Sequence, residues 1–96
     1  MTRILCVGVD QQLLEIRCTL LQKSGYAAQF AMPAEIDEGE QFDLVILSLM
    51  LSNQQKEIAE AKIPPGTRIL ALDALVLPEE LLRMVSGALS RKSEPA

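Results

Sequence analysis

"FDLVILSLML", residues 42–51, decides how this chain folds. Its centre, Leu44–Leu47, is uninterrupted aliphatic sequence with no polar face to turn toward water. Such a run reads as a strand covered on both sides, the pattern of a parallel sheet with helices on each face. One small hydroxyl, Ser48, follows it. Ligands in open α/β folds bind beyond the carboxyl ends of the strands, so Ser48 stands where a reactive side chain would be presented.

Working outward, "RILCVGV" (3–9) is a second apolar run of the same kind. Asp10 follows and caps a helix, because its carboxylate can accept from free N–H groups at the positive end of the helix dipole. "QQLLEIRCTLLQKSG" (11–25) is that helix. Leu13, Ile16 and Leu20 form its stripe with Leu14, Cys18 and Leu21 alongside, while Glu15, Arg17, Gln22 and Lys23 fall mainly on the wet side. Gly25 is its left-handed stop. "YAAQFAM" (26–32) is a weaker strand closed by Pro33, and "AEIDEGE" (34–40) is a helical turn or loop whose carboxylates want water. "SNQQKEIAEAK" (52–62) is a helix capped by Ser52 or Asn53 and anchored by Ile58 and Ala61, and "IPPG" (63–66) ends it. "TRILALDALVL" (67–77) is a strand that can break near Asp73. "PEELLRMVSGALSRK" (78–92) is a helix with Pro at its start, acids in its first turn and bases in its last. Its stripe is Leu81, Leu82, Val85 and Leu89. Strand and helix alternate, so the chain is α/β: a three-layer sandwich on a mostly parallel sheet of about four strands with right-handed crossovers. One domain, 1–92, precedes a disordered tail, 93–96.

The composition narrows function. A net charge of −4, with nine scattered Lys and Arg among 96 residues, argues against a nucleic-acid partner held by phosphate contacts. The chain has no His, which removes the usual general base and the commonest zinc ligand. Cys6 and Cys18 lack metal or redox spacing and read as buried apolar fillers in a reduced, cytoplasmic protein. The apolar run in "MTRILCVGVD" is too short for a signal peptide or a membrane span.

"ILCVGVDQQLLEIRCTLLQKSGY", "FDLVILSLML" and "PEELLRMVSGAL" together resemble the receiver domain of two-component response regulators, over about residues 3–92 with a gap. The resemblance implies a flavodoxin-like fold, its four strands in the order 2-1-3-4. It also implies a tip where an acidic pair and a phosphoacceptor aspartate hold Mg²⁺, which needs several hard oxygen ligands. Position by position, the acidic pair aligns with Gly8 and Val9, the phosphoacceptor with Ser48, and the hydroxyl that reads the phosphate with Asp73. The lysine that reads the phosphate has no equivalent. Asp10 and Asp73 remain as an acidic rim. No metal, cofactor or Mg-dependent phosphorylation is expected from such a set.

Against the family it resembles, the chain lacks one helix–strand unit after "IPPG", which would leave the fourth strand at a sheet edge with unpaired backbone groups. Leu70, Leu72, Leu75, Val76 and Leu77 are then candidate interface residues. The expectation is a non-catalytic, phosphorylation-independent pseudo-receiver that forms a homodimer or binds a partner protein in bacterial signalling or transcriptional regulation. The alternatives are binding of a small molecule or ion at the rim of the sheet, and a conventional phospho-switch. Ser48 as a nucleophile lacks a base and lacks a G-x-S-x-G elbow.

Overall fold

The computed structural model describes residues 2–37, 39–72 and 76–90. Four strands, β1 (Arg3–Val7), β2 (Ala27–Ala31), β3 (Leu44–Leu47) and β4 (Arg68–Ala71), form one parallel sheet in the order β2-β1-β3-β4. Three α-helices, α1 (Gln11–Lys23), α2 (Asn53–Lys62) and α3 (Pro78–Ser90), and a single 3₁₀ turn at Pro33–Glu35 cover it. This is the flavodoxin-like arrangement with one helix–strand unit fewer.

Side chains alternate across a strand, so each strand supplies both faces of the sheet. Ile4, Cys6, Leu44 and Ile46 point to one side, where they meet Leu14, Cys18 and Leu21 of α1 and Leu81 and Val85 of α3. Leu5, Val7, Val45 and Leu47 point to the other, against Ile36, Leu51, Ala59 and Ile63. All four residues of β3 are buried, as its unbroken aliphatic run requires.

Several helix faces differ from the sequence expectation. The buried face of α1 is Leu14, Arg17, Cys18 and Leu21, whereas Ile16 is 60% exposed. The helix is rotated so that its 14–18–21 row meets the sheet, and that rotation carries Arg17 inward and Ile16 out. In α2 the residue that packs is Ala59, not the expected Ile58 or Ala61, both of which are exposed. A small side chain there lets the helix lie close to the sheet. Ile36 is buried in the core just after the 3₁₀ turn at Pro33–Glu35, the helical turn that the sequence allowed there. The stripe of α3 is as expected, with Leu81 and Val85 fully covered and Leu82 and Leu89 packed around them.

Local caps follow the chemistry of their residues. Asp10 accepts from the Leu13 N–H at 3.3 Å. Ser52 and Gln55 form a reciprocal capping box at α2, with bonds of 3.1 and 2.9 Å. Gly25 adopts φ +96° just beyond α1, a conformation that side chains resist. Cys6 and Cys18 are both free and buried. The adjacent Cys18 thiol, together with burial, pushes the Cys6 thiol well up from its ordinary range.

Candidate functional site

The carboxyl ends of β1 and β3 meet side by side, held by the Ser48 N–H donating to the Val7 carbonyl at 2.9 Å. Ser48 is the first residue past β3 and is 6% exposed. Gly8 is the first residue past β1 and lies directly against it. A Cβ on Gly8 would sit 2.6 Å from Ser48 Oγ, 3.0 Å from Ser48 Cβ and 3.1 Å from Leu14 Cδ2. Its φ is not positive, so the requirement at Gly8 is space for the neighbouring strand rather than a special turn.

The occupant of the tip is Arg17. It is 6% exposed, and its Nη1 donates to Ser48 Oγ at 2.9 Å. Among the described residues this is its only side-chain hydrogen bond, and no carboxylate lies within ion-pair distance of it. A buried guanidinium facing one neutral hydroxyl is an unusual arrangement, because buried charges are ordinarily paired.

Expectations from the sequence distribute as follows. Gly8 and Ser48 are brought into contact, and Asp10 stands beside them as the cap of α1. Val9 is 42% exposed at the rim. Val9, Asp10, Leu13, Arg17, Ser48, Leu49 and Met50 enclose a crevice of about 50 Å³. Asp73 and Leu75 lie outside the described residues. Leu72 is 3% exposed and belongs to the core, and Leu70 and Val76 are partly buried against it. Of the described interface candidates, Leu77 is the exposed one, at 64%. Among the described residues, no group of three or more His, Cys, Asp or Glu is placed to hold a metal ion. Among them, too, no helix is long and apolar enough to cross a membrane.

Sequence reasoning missed Arg17. The signal was present: 14, 17, 18 and 21 are spaced i, i+3, i+4, i+7, one face of a helix, and three of the four are apolar. The charge at 17 outweighed the phase in that reading.

The outer edge of β4 is the second feature. The Leu72 N–H donates to the Leu47 carbonyl at 2.9 Å. By the alternation of a parallel ladder, Ile69 and Ala71 then turn their N–H and C=O groups away from β3, toward the open edge. Ile69 is 42% exposed and Ala71 is exposed. Beside this edge, Leu70, Arg83, Met84, Gly87 and Ala88 line a groove of about 330 Å³. Arg68 ties the strand to α3 by donating to the Ala88 carbonyl at 2.8 Å.

No family model matches this chain, and no curated protein matches its sequence.

Proposed function

We propose that this chain is a non-catalytic, receiver-like interaction module that works without phosphorylation and pairs with a second copy of itself through the β4 edge. The context that the family resemblance implies is cytoplasmic bacterial signalling or transcriptional control. The observation that carries the pairing is β4 itself: among the described residues it is bonded to β3 on one side only, and its other side presents the backbone of Ile69 and Ala71 next to an exposed Ile69 side chain. Unpaired edges of this kind template addition of another strand. A two-fold axis beside β4 would join the two sheets into one, and would use the same patch on both copies.

The tip supports the phosphorylation-independent part of the reading. In a working receiver, clustered carboxylates hold Mg²⁺, and the metal offsets the charge of the phosphoryl group. Here a fixed guanidinium stands against Ser48, and Gly8 leaves no side chain of its own. An internal positive charge takes the place of the switchable one, so acetyl phosphate with Mg²⁺ is expected to change neither spectra nor assembly state.

Light scattering or sedimentation across a concentration series tests the pairing. The expected result is a concentration-dependent dimer, with Ile69→Lys weakening it by tenfold or more, about 1.4 kcal/mol. A chain that stays monomeric at all concentrations, with slow amide exchange at Ile69 and Ala71, overturns it.

A further inference from the structure

We infer that the crevice beside Arg17 is a binding site for a single carboxylate group, with room for little more than that group and a short aliphatic end. The inference goes beyond the interaction reading and does not depend on it.

Arg17 carries a full positive charge and is nine-tenths buried, yet among the described residues its one hydrogen bond is to a neutral hydroxyl. A guanidinium has five N–H donors in a planar fork. None of the described fully buried side-chain polar atoms lacks a partner, so the Arg17 donors that do not reach Ser48 keep some access to solvent, and Arg17 lines the crevice. The fork matches the two oxygens of a carboxylate in a bidentate pair.

Size and lining select within the anions. The crevice holds about 50 Å³, enough for roughly one or two waters, and so for little more than one carboxylate group. Val9, Leu13, Leu49 and Met50 supply four apolar side chains around it, which suit a methyl or short alkyl group and offer nothing to further charged oxygens. Asp10 stands in the same lining with its Oδ1 accepting from the Leu13 N–H. Asp10 is exposed and screened by water, whereas Arg17 is buried and is not. A monoanion therefore gains more from Arg17 than it loses to Asp10, while a dianion such as phosphate is penalised. Ser48 adds a hydroxyl already oriented by Arg17.

The same chemistry is carried by a free short-chain acid and by a glutamate side chain of another protein. Acetate and N-acetylglutamate amide are the two probes, titrated separately into the intact chain at constant ionic strength against chloride and followed by amide and Arg Nε–H resonances. A saturable shift centred on Gly8, Arg17, Ser48 and Leu49 is expected, with inorganic phosphate weaker by tenfold or more. Tighter binding of acetate points to a free acid, and tighter binding of the blocked glutamate points to a protein side chain; both keep the site. Arg17→Met should weaken the preferred probe at least tenfold. Arg17→Lys, which retains the charge, should recover part of it if the methionine variant folds poorly. A linear, unsaturating response in the wild-type chain to both probes, or equal or tighter binding of phosphate, overturns the proposal.

Discussion

Arg3 and Arg17 stand at opposite ends of the same parallel sheet, and the fold treats them in opposite ways. Arg3 is the first residue of β1 and is exposed. It has partners in abundance: Nη1 donates to the Gln41 carbonyl at 2.9 Å, Nη2 pairs with Glu40 Oε2 at 3.2 Å, and the guanidinium lies 4.8 Å from the centre of the Phe42 ring. Its backbone N–H donates to Asp43 Oδ2 at 2.8 Å. Arg17 is buried and has one neutral partner. If stability alone governed both, the charges would be distributed the other way, because a counter-ion matters most where water is excluded. The rim with Arg3 is therefore a fastening of modest value, whereas the tip buries a charge against a single neutral partner.

The largest effect expected from breaking this contrast is at Arg17. Arg17→Ala removes a buried aliphatic stem packed beneath the tip and leaves the Ser48 hydroxyl without its donor. A loss of about 2–4 kcal/mol is expected in chemical denaturation. Arg17→Met keeps most of the stem and, like alanine, removes the charge and the donor to Ser48, so it should lose less, about 1 kcal/mol or under. Equal losses in the two variants would mean that the guanidinium itself stabilises the tip, and the contrast with Arg3 would collapse.

Next in size is Gly8→Ala. The added methyl would meet both Ser48 Oγ and Ser48 Cβ inside normal contact distance. Overpacking of this kind costs about 1–3 kcal/mol. Part of it should be recovered in a Ser48→Ala background, where the closer of those atoms is gone, and part should remain because the Cβ contact persists. A thermal melt of the two single variants and the double variant measures the coupling. Full additivity would show that Gly8 answers to the backbone rather than to Ser48, and the tip would no longer be a mutually fitted pair.

The two regions were unequally legible in sequence, and the reasons are physical. The cover on both faces follows from β3, because four consecutive aliphatic residues need it; the strand order came from the receiver resemblance, not from any one segment. The third helix was readable because its apolar residues keep strict phase. Ile16 and Ile58 misled because an apolar side chain on a short helix says little about rotation when a small or aliphatic neighbour is available to pack. Ala59 at the centre of α2 shows the same effect. At the tip, Gly8 and Ser48 stood out in sequence only through the resemblance to a receiver, as a glycine and a serine where that resemblance implies carboxylates. Arg17 did not, because its role depends on a contact across 31 positions of chain that no local periodicity encodes. The Arg3 cluster was equally hidden: its partners at 40–43 are brought near only by the β1–β3 pairing.

The smallest effect is expected at Arg3, and it sharpens the comparison most directly. Arg3→Met keeps a side chain that can still lie against Phe42 while removing the bonds to Glu40 and to the Gln41 carbonyl. Both members of the ion pair are partly exposed, at 44% and 38%, so water and salt already screen it. A loss of about 0.2–1 kcal/mol is expected at low ionic strength, shrinking toward zero in high salt. Arg17 should behave differently: its contact with Ser48 has no opposite charge to screen, so the Arg17→Ala loss should be nearly independent of salt. Denaturant titrations of both variants at two ionic strengths read this directly. A salt-sensitive Arg17 and a salt-insensitive Arg3 would reverse the assignment, and would mean that a counter-charge outside the described residues reaches the tip.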